Sequence, residues 1–289
     1  MNEASPQEPQ RIASPREPVS DVKIQVRDVY KVFGRREADA VKMLKAGRDK
    51  AEVQAETGAN VGLAGVDIDF PTGRITCVMG LSGSGKSTLV RHLNRLIDPS
   101  SGQILVDGED ILRLSMPQLR ELRRHRISMV FQGFGLLPHI NVLDNVAFGL
   151  SVRGESRAQA RATARSWLDR VGLSDYETRY PDELSGGMRQ RVGLARALAI
   201  DAEVLLMDEA FSALDPLIRY DMQDQLLALQ QRLRKTIVFV THDIEEALRI
   251  GDHIVILRDG KVEQVGSPAD IRERPANEYV ERFVVRRIG

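Results

Sequence analysis

The sequence of 289 residues has little cysteine, few aromatic side chains and no long hydrophobic runs. Its one cysteine, Cys77, excludes an intramolecular disulfide and a four-thiolate zinc site, and is typical of a cytoplasmic protein. Apolar runs such as residues 237–240 fall far short of the roughly 20 residues that a membrane-spanning helix needs. The sequence therefore predicts that no part of the chain crosses a membrane by itself.

Net charge is also missing, because 41 basic residues balance 41 acidic ones. Proteins that bind duplex nucleic acid usually carry a basic excess, so nucleic acid is disfavoured as a partner. The hydrophobic fraction of 42% and the charged fraction of 28% are those of an ordinary globular protein. Residues 1–20 hold four of the 12 prolines and no apolar core, which predicts a disordered tail rather than a secretion signal.

The hydrophobic pattern after residue 20 predicts an α/β fold. Alternation at residues 22–26 and 65–70 predicts two strands, and residues 35–57, rich in Ala, Lys, Glu and Arg, predict a solvated helical insert. Apolar runs without alternation are typical of strands covered on both faces, as in a largely parallel sheet with helices between its strands. Four runs have this character: residues 75–79, 127–131, 204–207 and 237–240.

The segment at residues 139–200 is helical in pattern almost throughout, with breaks at two glycines and at Pro181. It predicts a helical subdomain inserted into the α/β core. A short strand at residues 261–265 and a helix that begins near Ser267 complete the pattern.

A glycine-rich segment directly after residues 75–79 fits the phosphate-loop pattern GxxxxGK[ST] and precedes a helical stretch. Glycines let backbone N–H groups turn toward phosphate oxygens, and the helix adds the positive end of its dipole. Lys86 is predicted to contact the β- and γ-phosphates, and the Ser87 hydroxyl to bind Mg²⁺. The alternative, a plain glycine turn, is disfavoured by the strand and helix on either side. The predicted nucleotide contacts are Gly80, Leu81, Ser82, Gly83, Ser84, Gly85, Lys86, Ser87 and Thr88.

Two carboxylates, Asp208 and Glu209, follow the apolar run at residues 204–207. A strand covered on both faces does not tolerate charge, so acids occur where it emerges, near the ligand crevice at the carboxyl ends of the strands. Asp208 is predicted to hold Mg²⁺ through water, and Glu209 to orient and deprotonate the attacking water. The alternative is a pair of caps for the next helix. The phosphate loop in the same chain favours the catalytic interpretation.

Further motifs follow in order along the chain. A Ser-Gly-Gly turn before a helix is a weak signal alone. Together with the phosphate loop and Glu209, however, the set resembles the motifs of the ATP-binding cassette (ABC) ATPases. The resemblance implies a P-loop NTPase core of the RecA type, an antiparallel β subdomain, an inserted α-helical subdomain, and ATP and Mg²⁺ as ligands. The motifs are Gln132, Leu184-Ser185-Gly186-Gly187-Met188, Ser212-Ala213-Leu214-Asp215 and His242.

The resemblance also implies roles for single residues. Phe33 resembles the aromatic residue that stacks on adenine, with a core aromatic as the alternative. Gln132 is similar to the glutamine that contacts Mg²⁺ and the attacking water, and His242 to the switch histidine at the γ-phosphate. In this family two chains face head to tail, and each nucleotide lies between one chain's phosphate loop and the other's signature. The residues implied to act in this way toward a second copy are Ser185, Gly186, Gly187 and, for communication across the dimer, Asp215.

Longer stretches resemble the ATP-binding subunits of glycine betaine/proline betaine importers, which take up quaternary-amine osmoprotectants. The resemblance covers about residues 22–285 and implies a homodimer at the cytoplasmic face of the membrane. Separate permease subunits would receive the solute from a periplasmic or lipoprotein binding protein, and residues 132–145 would form the coupling surface. The stretches are residues 35–62, 80–98, 142–150 and 207–230.

The domain organisation implied is a nucleotide-binding domain at residues 21–289. Within it lie a family-type insert at residues 35–62, the helical subdomain at about 139–200 and a C-terminal extension at about 261–289. Many relatives continue into a pair of regulatory cystathionine-β-synthase-type domains, whereas this sequence stops after the extension, so osmotic gating by that route is not expected. Relatives often carry larger residues where this chain has Gly133 and Gly135, which predicts a more permissive loop.

Other functions stay open from the sequence. An importer for a different small solute, such as an amino acid, fits the same motifs, since an ATPase subunit need not touch the solute. A soluble cassette protein in DNA repair or translation usually carries a long coiled coil or two tandem cassettes, and this sequence shows neither. A nucleotide-binding module without turnover is disfavoured by Glu209 and His242 together.

Overall fold

A computed structural model of the chain describes residues 21–133, 135–212 and 214–285. The predicted tail at residues 1–20 lies outside the described residues. The strands are β1 (Val22–Phe33), β2 (Asn60–Pro71), β3 (Ile75–Met79), β4 (Ser101–Val106), β5 (Glu109–Asp110), β6 (Ile127–Val130), β7 (Val204–Asp208), β8 (Thr236–Val240), β9 (His253–Arg258) and β10 (Lys261–Gly266). The α-helices are α1 (Glu37–Lys45), α2 (Lys50–Thr57), α3 (Lys86–Leu93), α4 (Met116–His125), α5 (Val142–Val152), α6 (Arg157–Arg170), α7 (Gly186–Ala199), α8 (Pro216–Leu233), α9 (Ile244–Ile250), α10 (Pro268–Glu273) and α11 (Glu278–Val285).

A six-stranded sheet with the order β10-β9-β3-β8-β7-β6 forms the centre of the fold. Neighbouring strands from β9 to β6 are parallel, and β10 at the edge is antiparallel to β9. Every residue of β3, β7 and β8 is buried, because apolar cores cover both faces of the sheet. The predicted buried parallel strands are therefore confirmed, except that β6, at the sheet edge, ends at Val130 and Phe131 is exposed. Their carboxyl ends meet at one edge of the sheet, which is where α/β folds bind ligands.

A four-stranded antiparallel sheet, β2-β1-β4-β5, packs over α3 and one face of the central sheet. Its presence confirms the antiparallel subdomain. β1 continues to Phe33, beyond the predicted end at residue 26. The prediction stops too early because register shifts and the positive φ of Asp28 break the alternation of buried and exposed residues. The sequence pattern does not predict β4, which has only three consecutive apolar residues, 104–106, after Gly102 (φ 107°). A Cβ on Gly102 would lie 2.5 Å from the Asp28 carbonyl oxygen, so the close approach of β4 to β1 at this position requires glycine.

The helices α5, α6 and α7 lie between β6 and β7 and share one core with the central sheet. The chain turns between them at Gly154 (φ 94°) and Gly172 (φ 68°), and at a 3₁₀ turn that begins with Pro181. These are the predicted breaks. None of the helices in the described part of the chain has the length and apolar character needed to cross a membrane.

The insert between β1 and β2 consists of α1 and α2, and most of its residues are exposed, as the sequence predicts. The sequence pattern does not predict the buried apolar side of these helices. Both helices bury an apolar face against the ends of β1 and β2, and this cluster is separate from the two larger cores. The polar composition of the segment hides this face, since only every third or fourth residue points inward. The buried residues of the insert are Ala40, Val41, Leu44 and Val53.

Candidate nucleotide-binding site

The phosphate loop lies between β3 and α3, and its shape requires glycine at two positions. Gly80 has φ 150°, and a Cβ there would lie 2.3 Å from the Leu257 carbonyl oxygen. Gly85 has φ 103°, and a Cβ there would lie 2.5 Å from the Gly62 carbonyl oxygen. No atom of the described residues lies within 4 Å of the corresponding position on Gly83, so this part of the loop faces open space. Bare backbone beside open space at a helix N-terminus suits phosphate oxygens.

The Lys86 side chain follows this loop and is only 6% exposed. Its Nζ donates hydrogen bonds to the carbonyl oxygens of Gly80 at 2.9 Å and Leu81 at 3.0 Å. Burial lowers the pKa of the Lys86 ammonium below its ordinary value, and the carboxylates of Glu209 and Asp208 oppose that shift. The ammonium is therefore held at the loop, where it can neutralise phosphate charge.

A hydrogen bond joins the Ser87 hydroxyl, in the first turn of α3, to the carboxylate of Asp208, the last residue of β7. Ser87 Oγ donates to Asp208 Oδ1 at 2.8 Å, and Asp208 is 1% exposed. Arg91 Nη2 lies 3.6 Å from the other carboxylate oxygen. Oxygen atoms of this kind are the ligands that Mg²⁺ prefers in proteins. The pair therefore fits the predicted metal position.

Three polar side chains from neighbouring strands meet beside the phosphate loop. Gln132 follows β6, Glu209 follows β7 and His242 follows β8. Gln132 Nε2 donates to Glu209 Oε2 at 2.9 Å, and His242 Nδ1 lies 3.8 Å from the same oxygen. A carboxylate oriented by an amide and an imidazole at a strand end can accept a proton from a bound water.

The structure contradicts the alternative in which Asp208 and Glu209 cap a helix. The next helix, α8, begins at Pro216 and has Asp215 as its N-cap. Glu209 instead has φ 48°, in the left-handed region that non-glycine residues occupy at a cost, and Ser212 Oγ donates to its carbonyl oxygen at 2.9 Å. Strain of this kind is concentrated at functional positions.

A cleft of about 550 Å³, a volume typical of small-molecule sites, connects these groups. Phe33 lines it from the end of β1 and is 41% exposed, which contradicts its alternative interpretation as a core aromatic. The described residues that line the cleft are Phe33, Lys50, Asn60, Val61, Gly62, Ser82, Gly83, Gly85, Lys86, Ser87, Thr88, Gln132, Glu209 and His242.

Four of these lining residues are not predicted as site residues by the sequence. They belong to α2 and to the start of β2, and only the packing of the insert brings them beside the phosphate loop. The structure gives the reason for glycine at position 62, where a Cβ would lie 2.9 Å from Phe33 Cε2. This contact is between residues 29 positions apart, and no local sequence pattern predicts it. The four residues are Lys50, Asn60, Val61 and Gly62.

Comparison with known proteins decides the family. A sequence profile described as "ABC transporter" matches residues 63–212, more than half of the chain. The chain belongs to the ABC transporter family. A solved dimeric ABC cassette, MJ0796, in a post-hydrolysis state bound to ADP and Pi, superposes with a TM-score of 0.74 at 30% identity. The superposition covers 85% of this chain and 98% of that one.

Two curated ABC relatives carry transport functions in their names. The chain is 54% identical over 91% of its length to the glycine betaine transport ATP-binding protein OpuAA of Bacillus subtilis, and spans 63% of that protein, less than two thirds. It is 50% identical over 90% of its length to the trimethylamine N-oxide transport system ATP-binding protein TmoW of Ruegeria pomeroyi, and spans 76% of it.

The residues predicted as the signature do not line the chain's own cleft. Ser185 is the N-cap of α7, and its Oγ accepts a hydrogen bond from the Met188 N–H at 3.3 Å. A Cβ on Gly187 would lie 3.3 Å from Leu214 Cδ2, so the signature adjoins the segment that ends at Asp215. The described residues that line the cleft include neither the signature residues 185–187 nor Asp215. The predicted nucleotide contacts therefore form two separate groups on one chain.

The loop after Gln132 is restrained at one of its two glycines. Gly135 has φ 57°, and its carbonyl oxygen accepts a hydrogen bond from Arg196 Nη1 of α7 at 2.6 Å. A Cβ on Gly135 would lie 3.1 Å from Phe131 Cδ2. At Gly133 no atom of the described residues lies within 4 Å of such a Cβ. The expected permissiveness therefore applies to Gly133 and not to Gly135.

Proposed function

We propose that this chain is the ATP-hydrolysing subunit of a binding-protein-dependent ABC importer for glycine betaine, proline betaine or a related quaternary amine such as choline. The observation that carries the ATPase assignment is the Glu209 carboxylate, which accepts a hydrogen bond from Gln132 beside the phosphate loop. The solute class is supported by the similarity to OpuAA, a glycine betaine transport ATP-binding protein.

In this proposal, ATP lies in the cleft with its base on Phe33 and its phosphates on the loop at Lys86. Glu209 accepts a proton from a water molecule while the water oxygen attacks the γ-phosphorus. The bond from that phosphorus to its bridging oxygen breaks, and ADP and phosphate result. Gln132 and His242 orient the carboxylate and the water. Mg²⁺ bound by Ser87, by Gln132 and through water by Asp208 would neutralise charge on the phosphate oxygens.

A homodimer would complete each site. The positive end of the α7 dipole and its unpaired N–H groups suit a γ-phosphate, yet this end lies outside the chain's own cleft. A second copy, arranged head to tail, would bring its signature to that phosphate. The dimeric state of MJ0796 supports this arrangement. The residues acting toward the partner's nucleotide would be Ser185, Gly186, Gly187 and Asp215.

The chain would act as a peripheral subunit at the cytoplasmic face of the membrane. Residues 132–145 would contact separate permease subunits, which receive solute from a binding protein. We assign residues 21–289 to one nucleotide-binding domain, with the insert at 35–62, the helical subdomain at about 139–200 and the C-terminal extension at about 261–289.

The test is solute uptake in a strain deleted for this gene and complemented with wild type or Glu209→Gln, at low and high osmolarity. We expect uptake of labelled glycine betaine or choline to return with wild type alone. Unchanged uptake of every quaternary amine, with ATP hydrolysis intact in the purified protein, would overturn the solute and keep the ATPase. Absence of ATP hydrolysis by the purified wild type would overturn the ATPase.

Trimethylamine N-oxide is a second candidate solute, favoured by the 50% identity to TmoW. Trimethylamine N-oxide is an amine oxide and the betaines are quaternary ammonium carboxylates, but both are small molecules without net charge. The same strains distinguish it, since uptake of labelled trimethylamine N-oxide without uptake of glycine betaine would select this solute.

A further inference from the structure

The helical insert places a cation in the nucleotide cleft. Lys50, the first residue of α2, is half-buried and lines the cleft together with Phe33 and the phosphate loop. Its ammonium forms no hydrogen bond or ion pair with any of the described residues. A lysine that faces a cleft without a protein partner is free to bind an anionic ligand.

The other charged residues around the N-terminus of α2 already have hydrogen-bond or ion-pair partners. Asp49 accepts a hydrogen bond from the Glu52 N–H at 2.8 Å, and the Glu52 carboxylate accepts one from the Asp49 N–H at 3.0 Å, which completes a capping box. Arg48 Nε lies 3.1 Å from Glu52 Oε2, and Arg48 Nη2 lies 3.3 Å from Glu56 Oε2. These contacts leave Lys50 as the group in this turn that is available to a ligand.

The position of Lys50 is set by packing and not by a flexible loop. Val53, one turn further along α2, is fully buried in the apolar cluster of the insert. That cluster also contains Val32, next to Phe33, and Val61, next to Gly62. The insert and the residues that flank the base platform therefore form one rigid unit.

Gly62 marks the part of the cleft between the base platform and the phosphate loop. A Cβ there would lie 2.9 Å from Phe33 Cε2 and 3.4 Å from Thr88 Cγ2, and its carbonyl oxygen adjoins Gly85. A nucleotide with its base on Phe33 and its terminal phosphates at the loop has its ribose and α-phosphate across Gly62. Lys50 lines this cleft and also a neighbouring cavity with Asp259 and Glu263. Of the groups of a nucleotide bound in this way, the α-phosphate is the anionic group between the base platform and the loop.

We propose that Lys50 is a nucleotide-binding residue whose ammonium contacts the α-phosphate, so that the insert contributes to nucleotide affinity and not to the hydrolytic step. The inference rests on the proposed ATPase function. It assigns the insert a role in the site, in addition to its packing against the antiparallel sheet.

The test compares Lys50→Met with Lys42→Met in the full-length chain. Lys42 is an exposed lysine on α1 of the same insert and lies outside the cleft, so its removal changes the net charge equally. Binding of ADP and of a non-hydrolysable ATP analogue is measured by calorimetry, together with KM and kcat for ATP. Thermal unfolding of each variant serves as a check on folding.

We expect Lys50→Met to weaken binding of both nucleotides, and to raise KM, by about three- to tenfold, with kcat within about twofold of wild type. The loss should shrink at high ionic strength, and Lys50→Arg should restore most of the affinity. Lys42→Met should match wild type.

Three results would overturn the inference. They are equal affinities for Lys50→Met and wild type, an equal loss in Lys42→Met, or a loss confined to the ATP analogue, which would move the contact to the γ-phosphate. Failure of the wild type itself to bind either nucleotide would instead overturn the proposed function, and the inference with it.

Discussion

The two ends of the nucleotide cleft are built in different ways. At the phosphate end, polar side chains are already hydrogen-bonded to one another or to backbone, as in the pairs Ser87–Asp208 and Gln132–Glu209. Toward the base end, the exposed ring of Phe33 and the side chain of Lys50, which has no partner among the described residues, adjoin the apolar cluster of the insert. The hydrolytic step requires catalytic groups that are held in position before the substrate binds. Binding affinity requires exposed protein surface that the nucleotide buries when it binds. We therefore expect substitutions at the first end to change kcat and those at the second to change KM.

Glu209→Gln should have the largest effect, because the amide keeps the size of the side chain and cannot accept the proton. ATP hydrolysis should fall by about 10²- to 10⁴-fold, and ATP affinity should stay within about threefold of wild type. Hydrolysis and calorimetric binding are measured on the same samples. Glu245→Gln, at an exposed carboxylate in the first turn of α9, is the matched control. Rapid turnover by Glu209→Gln would place the base elsewhere.

Phe33→Ala tests the base end. Loss of stacking on adenine should raise KM for ATP by about five- to 100-fold, since stacking on an aromatic side chain contributes about 1–3 kcal/mol per base. kcat should change by less than about twofold. Phe33→Trp should keep wild-type KM, and Tyr176→Ala, at an aromatic residue of similar exposure outside the cleft, should have no effect. A fall in kcat alone would remove the distinction between the two ends.

The helix that follows the phosphate loop, α3, should carry a pH dependence of stability. His92 is fully buried in α3, and burial lowers its pKa to about 4, while its Nδ1 donates to the Thr88 carbonyl oxygen at 2.6 Å. An unfolded histidine titrates near pH 6.5, so between these values the unfolded state binds more protons and the unfolding free energy falls as pH falls.

The His92 imidazole alone should lower the free energy of unfolding by about 2 kcal/mol when the pH falls from 7 to 5. Urea unfolding at both pH values measures the change. His92→Leu should reduce the loss, whereas His125→Leu, at an exposed histidine, should leave it as in wild type. Equal losses in wild type and His92→Leu would show that other groups dominate.

The smallest effect concerns the loop that leaves the phosphate end. Gly135→Ala should destabilise the fold by about 1 kcal/mol, because its φ of 57° and the nearby Phe131 ring disfavour a Cβ. Gly133→Ala should change stability by less than about 0.5 kcal/mol. Thermal unfolding of the two variants is compared directly.

The same variant tests coupling to the membrane subunits. We expect Gly135→Ala to keep basal ATP hydrolysis near wild type and to change hydrolysis in the assembled transporter. Equal changes in both activities would argue against a coupling role.

The sequence was most informative where the residues of one function are consecutive in the chain. The phosphate loop, the buried strands and the breaks in the helical segment could be predicted, because each depends on local backbone preference or on a run of apolar residues. The errors have physical reasons as well. Register shifts hid the second half of β1, and the polar composition of the insert hid its buried face, which only Val53 and three α1 residues form.

The sequence by itself determined the class of the protein and its phosphate-binding chemistry, since a glycine-rich turn between a buried strand and a helix leaves its backbone few other arrangements. Tertiary structure decided the contacts by which Gln132, Glu209 and His242 meet at one strand edge, and it alone showed that Lys50 lines the same cleft from the insert. These residues are separated by up to 192 positions between Lys50 and His242. Contacts over such separations depend on the order of strands in the sheet and on how helices pack against it, which local patterns do not specify.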